Sequence, residues 1–261
     1  MEKRTERNGS TRIGVMVAAC ALIAGPMCVS SADAAPIYED SFDRVGMLDG
    51  SAPDIGPAGV TWTANEDVLT DGSTANATDI RTMYLPFTPA AGHVYELSVD
   101  VHLDPAGGSN WYGLAFMGAS PGTESSIASF GGFPDTDPRP GMILRHNGEQ
   151  VLSRQASGDG ELADTRLQTH NVPTPYTGIV TMKLVLDTTA PEWAVTWAVN
   201  DDIWRTDTYV TNPENIASVG VSASAAAEDL VYRFDNFTLI PEPASLALVG
   251  LGGLLLIRRR R

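Results

Sequence analysis

Between residues 36 and 240 the apolar positions recur every second residue, not every 3.6. Tyr95, Leu97, Val99, Val101 and Leu103 alternate with Glu96, Ser98, Asp100 and His102, the pattern of an antiparallel strand with one wet face. Met182, Leu184 and Leu186 alternate with Lys183, Val185 and Asp187. Trp193, Val195, Trp197 and Val199 share one face of a further strand, which assigns both tryptophans to the core. Asn200-Asp201-Asp202 follows, and a strand resumes from Ile203 to Tyr209. Asn and Asp tolerate positive φ, so this stretch predicts a hairpin with a short loop. Ile80 to Phe87, Trp111 to Met117, Val219 to Ala223 and Val231 to Ile240 complete the set.

Clusters of Gly, Pro, Asp and Ser separate these runs at 49–59, 70–79, 104–110, 118–125, 131–141, 156–160 and 171–178. Many strands with regular turn signals predict an all-β antiparallel sandwich of about 205 residues, 35–240. No periodic helix longer than two turns lies between the ends; Ala223 to Asp229 reads as a helical turn or a loop. The absence of an internal repeat argues against a propeller or solenoid.

The two ends follow different rules. Residues 2–12 carry four basic groups, and Ile13 to Ile23 form an apolar core. Ala32-Asp33-Ala34 then supplies small residues before a cut, so residues 1–34 read as a signal segment removed by signal peptidase. An uncleaved anchor is the alternative, opposed by Gly25-Pro26 and the small, polar run from Ser30 to Ala35. Both cysteines, Cys20 and Cys28, lie inside this segment, so its removal leaves no thiol for a disulfide or a Cys-bound metal. Val17-Ala18-Ala19-Cys20 is loosely like a lipidation box, but the apolar run continues past Cys20.

At the other end Pro241-Glu242-Pro243 precedes fourteen uncharged residues, 244–257, and then Arg258, Arg259, Arg260 and Arg261. A helix of that length spans roughly 21 Å, short of the ~20 residues needed to cross a bilayer core. Snorkelling arginines close part of the gap and stay cytoplasmic, which makes the stretch a marginal membrane helix. This order of Pro-Glu-Pro, apolar helix and Arg cluster resembles the PEP-CTERM sorting signal of Gram-negative bacteria. The resemblance implies an exosortase as partner, loss of the tail, transient anchoring in the inner membrane, and a place at the cell surface or in an extracellular polysaccharide matrix.

Four segments of the middle are similar to exported bacterial proteins with a concanavalin A-like, jelly-roll (laminin-G-like) sandwich. They are Asp40-Ser41-Phe42, Trp111-Tyr112-Gly113-Leu114-Ala115-Phe116, Leu184-Val185-Leu186-Asp187-Thr188 and Phe234-Asp235-Asn236-Phe237. The resemblance implies that the first and last strands pair. Asp40 and Asp43 could then meet Asp235, and these three are candidate ligands for a structural calcium. Asp235 reads as sharing a face with Phe237 and Leu239. The alternative is that each Asp caps a turn.

Charge narrows the chemistry. Setting aside the eight basic and four acidic residues of the two ends leaves 9 basic and 28 acidic, a net charge of −19. Such a body repels nucleic acid. A glycoside hydrolase on this fold needs two carboxyl groups across the sugar bond, and the Glu-x-Asp-x-x-Glu run of laminarinase-like enzymes is absent. His93, His102, His146 and His170 have no Gly-x-Ser-x-Gly elbow or His-x-x-x-His pair beside them and read as satisfied surface residues. Sugar binding requires exposed aromatic faces near polar groups. Trp204 and Tyr209 lie beside Asp201, Asp202 and Asp207, while Trp111 and Tyr112 point to opposite faces, so at most one of them is core. The expectation is a non-catalytic, exported protein that binds polysaccharide; the alternative is a secreted carbohydrate-active hydrolase.

Overall fold

The structure, a computed structural model, describes residues 34–104, 110–118, 123, 140–154, 167–208, 216–224 and 231–242, all within one unit that begins at Ala32. Most of the predicted signal segment, Tyr209, Pro243, the apolar stretch 244–257 and Arg258–Arg261 lie outside them. Among the described residues no helix is long and apolar enough to cross a membrane.

Among the described residues fifteen strands form two antiparallel sheets. In chain order they are β1 (Tyr38–Asp40), β2 (Val45–Met47), β3 (Leu69–Asp71), β4 (Ala75–Ala77), β5 (Arg81–Pro86), β6 (Val94–Leu103), β7 (Trp111–Met117), β8 (Gly141–Arg145), β9 (Gln150–Arg154), β10 (Leu167–Asn171), β11 (Gly178–Asp187), β12 (Ala194–Val199), β13 (Asp202–Thr208), β14 (Ser218–Ser224) and β15 (Tyr232–Glu242). The larger sheet runs β13-β12-β11-β6-β15-β4-β3-β2, with β1 also on β15; the smaller runs β10-β9-β8-β7-β14-β5. The strands with strict alternation are the long central ones, because a face that alternates can bury one side whole. In β6, Leu97, Val99 and Val101 are fully buried.

The core lies between the sheets. Tyr112 of the smaller sheet meets Tyr232 and Phe234 of the larger one edge-on, at 5.1 and 5.3 Å between ring centroids. Trp197 is fully buried and donates its Nε1–H across the core to the carbonyl of Gly141, and Trp193 is also buried. Asn200 and Asp201 both adopt positive φ, 50° and 66°, and close the β12–β13 hairpin in two residues. The first and last strands pair, with Tyr38 opposite Leu239.

Strands β1, β2, β8, β9 and β10 lie outside the predicted set, and two further features depart from the expectations. The predicted turn 70–79 contains two short strands, β3 and β4. Their turn-like composition serves the loop between them: Asp71 accepts from the backbone of Ser73 and Thr74 and from the Ser73 hydroxyl, which holds its carboxyl far below the usual range. The last strand also runs two residues beyond the predicted boundary at 240, placing Pro241 opposite Tyr95 and Glu242 opposite Val94.

Candidate functional site

Of the three calcium candidates, Asp43 and Asp235 lie within electrostatic reach of each other, but Asp40 is turned away from both. Asp40 is fully buried and accepts both guanidinium nitrogens of Arg44 at 2.7 Å, the Trp62 indole N–H at 2.6 Å and the Phe42 amide at 2.8 Å. Its oxygens are turned inward and taken. Asp43 is exposed. Asp235 does not share a face with Phe237 and Leu239: Asn236, at φ 49°, sits in a register shift of β15 against β6, which puts Phe234 and Phe237 on the buried side and Asp235 on the outer one. There, partial burial and the carboxylates of Asp100 and Asp43 raise its pKa. Among the described residues no group of three or more His, Cys, Asp or Glu side chains is placed to hold a metal ion.

The β7 pair divides. Tyr112 is fully buried, so it is no sugar contact; its hydroxyl donates to the carbonyl of His102 at 2.5 Å. It is core because its side of the strand faces the other sheet. Trp111 is half-buried on the opposite face, with the Arg145 guanidinium 5.2 Å over its ring. His146, expected at the surface, is also fully buried, stacked on Tyr112 at 4.8 Å. Its Nδ1 meets the backbone of Asp104 at 2.8 Å and its Nε2 meets the Tyr112 hydroxyl at 3.0 Å, which makes burial tolerable.

Of the three aromatic candidates among the described residues, Trp204 is the one that lines an open depression. It lies on β13, the edge of the larger sheet, where the pairing with β12 slips: Trp197 opposes Arg205 and Ala198 opposes Ile203, so Trp204 has no opposite number. A bulge of this kind re-aims a side chain at a sheet edge. Here it aims the indole towards β10, the edge of the smaller sheet, and the loop 172–177 that follows β10. The result is an open depression of about 560 Å³ lined by His170, Asn171, Thr174, Tyr176, Asp202 and Trp204 among others.

The walls are specific. Trp204 and Tyr176 lie 14° from parallel with centroids 6.0 Å apart, and the indole Nε1–H donates to the Tyr176 hydroxyl at 3.3 Å. That hydroxyl also interacts with the Asp202 carboxylate, and burial pushes the phenol's pKa up. His170 is tilted against Trp204 at 5.7 Å. Asn171 accepts from Gln150 Nε2 at 2.8 Å. Tyr176 is held from behind by the β8–β9 turn: its amide donates to the carbonyl of Gly148 at 3.1 Å, and Val172 donates to Glu149 at 2.9 Å. Gly148 has φ +71°, and a Cβ there would fall 2.0 Å from the Tyr176 carbonyl oxygen, so only glycine permits this approach.

The sequence pointed to Trp204 and the neighbouring acidic residues. It gave no role to His170, Asn171 or Tyr176, which lie at and beyond the end of β10 in a stretch that reads only as a turn. The one signal there is an aromatic residue directly after Pro173-Thr174-Pro175.

Comparison with known proteins agrees with both ends of this picture. Residues 239–261 match the PEP-CTERM protein-sorting motif, the mark of bacterial proteins exported and sorted to the surface. The fold is similar to an endo-1,3-β-glucanase from Streptomyces sioyaensis, at TM-score 0.51 and 12% identity over 80% of this chain and 96% of that one. It is similar also to the carbohydrate recognition domain of Emp46p. The potassium-bound form matches at TM-score 0.50 and 12% identity, over 69% of this chain and 88% of that one. The metal-free form gives the same score and identity over 76% and 96%. These likenesses establish a concanavalin-like β-sandwich. No curated protein matches the chain.

Proposed function

We propose that this chain is an exported, exosortase-sorted surface or matrix protein of a Gram-negative bacterium that associates with extracellular polysaccharide without catalysis. The observation that carries the reading is the Trp204–Tyr176 wall of an open depression with Asn171, Thr174 and Asp202 at its rim. Flat aromatic faces suit the apolar side of a sugar ring, and the amide, hydroxyl and carboxylate suit its hydroxyls. A glycoside hydrolase needs a second carboxyl group about 5–9.5 Å from the first. Among the described lining residues Asp202 is the one carboxylate. The fold neighbours include a carbohydrate recognition domain, which is consistent with this use of the sandwich.

The topology supports a tethered role. β15 ends with Glu242 opposite Val94, whereas the loop 172–177 runs into Gly178, opposite Leu103 at the far end of β6. Ten residues of strand separate these ends by roughly 33 Å. A tail leaving Glu242 into the inner membrane therefore puts the loop that carries Tyr176 on the side away from it.

The test is a glycan array probed with the full-length protein, with and without EDTA. Binding to one or more polysaccharides is expected, unchanged by EDTA. Trp204→Ala should weaken it about thirtyfold, the effect of truncating a binding-site tryptophan worth roughly 2 kcal/mol. Retention of no glycan, or equal binding by the variant, overturns the reading.

A further inference from the structure

Three properties of the depression together define a chemical class of ligand. First, its aromatic wall is flat. An indole N–H lies in the ring plane, so a hydroxyl that it reaches lies near that plane. With the rings 14° from parallel, Trp204 and Tyr176 present faces of nearly the same orientation rather than the crossed walls of a box. Both rings pack against the core on one side and line the depression on the other. A flat, open surface accepts the interior of a glycan chain, where a box would enclose a small cation.

Second, the rim carries a negative charge that has no partner of opposite sign among the described residues. Asp202 is exposed, interacts with the neutral Tyr176 hydroxyl, and enters no ion pair among the described residues. The adjacent Asp201 differs: Lys183 Nζ binds it at 2.8 Å and holds its pKa down. Among the described residues no group of three or more His, Cys, Asp or Glu side chains stands here to hold a metal ion.

Third, among the described lining residues there is no lysine or arginine. The domain around it has a net charge of −19. A uronate, sulfate or phosphate on the ligand would meet only repulsion, whereas an ammonium would form a charge-assisted hydrogen bond with Asp202.

We infer that the depression selects hexosamine chains bearing free amino groups, through stacking on Trp204 and Tyr176 and pairing of a sugar ammonium with Asp202. This rests on the carbohydrate-binding reading above and adds the selectivity. Acetylation removes the positive charge and with it the preference, but leaves the ring available for stacking.

The experiment is calorimetric titration of the full-length protein at pH 6 with three oligosaccharides of equal length: a glucosamine oligomer, its N-acetylated form and an oligogalacturonate. Wild type and Asp202→Asn are compared, with melting temperatures recorded for both. The glucosamine oligomer should bind about tenfold more tightly than the N-acetylated one, and the oligogalacturonate should not bind. Asp202→Asn should abolish the preference, bringing the glucosamine oligomer down to the affinity of the N-acetylated one, because the change removes the charge and keeps a hydrogen-bonding side chain at the rim. The preference should also shrink in high salt. Equal affinity for the amino and N-acetylated oligomers, or a preference that survives Asp202→Asn, overturns the inference and leaves the stacking site standing. Binding of none of the three by a folded protein whose glycan array is also blank overturns both.

Discussion

Two tryptophans in this molecule each sit in a network with an aspartate, and the networks have opposite outcomes. Trp62 donates to Asp40, Arg44 neutralises that buried carboxylate through two nitrogens, and Phe42 and Phe237 pack on the Trp62 ring. Trp204 reaches Tyr176, Tyr176 reaches Asp202, and among the described residues nothing of opposite charge completes the chain. The first network is finished inside the protein and can only hold the fold together. The second ends, among the described residues, at an exposed carboxylate. A buried charge must be paired to be tolerated, but an exposed one can wait for a ligand. That difference, rather than the residue types, separates structural from functional chemistry here.

Breaking each network should therefore give different signatures. The largest effect is expected from Asp40→Ala, which strands the Arg44 guanidinium and the Trp62 N–H. It should cost about 3–5 kcal/mol of stability in urea denaturation. Any folded fraction should bind glycans normally. A loss below 1 kcal/mol would mean that the closed network does not hold the fold.

Gly148→Ala attacks the open site from behind. Strain at positive φ and collision with the Tyr176 carbonyl should cost about 2–3 kcal/mol and weaken glycan binding together. Loss of stability with unchanged binding would uncouple the β8–β9 turn from the site.

The smallest effect is expected from pH, and it separates the two regions. His146, two residues from Gly148, has its pKa lowered by burial. The unfolded chain then binds a proton that the folded one resists, so the contribution of neutral His146 is full above about pH 6.5 and is lost as pH falls below it towards the folded pKa. The stability difference between wild type and His146→Gln should shrink over that window. A difference independent of pH would show that His146 does not stay neutral in the folded protein.

The long strands of both sheets were legible because burial of one face writes itself into the sequence at period two. β6, β11, β12 and β15 follow from their own residues, and Asn200-Asp201 announces its hairpin. β1 to β4 were not, since three residues of strand are too few to show a period. Asp235 was assigned to the wrong face because one residue in left-handed conformation, Asn236, shifts the alternation, and alternation alone cannot register the shift. The site was half visible: Trp204 and the acidic loop stand out, while Tyr176 gained its role from a distant turn.

By itself the sequence determined the class of fold and the address of the protein. Alternation and the Pro-Glu-Pro tail are local patterns, readable over stretches of ten to twenty residues. Tertiary structure alone decided which aspartates are spent and which remain available, and that β10 and β13, edges of different sheets, close around one depression. Those outcomes depend on the approach of segments far apart in the chain and on single-residue bulges, and neither leaves a periodic trace.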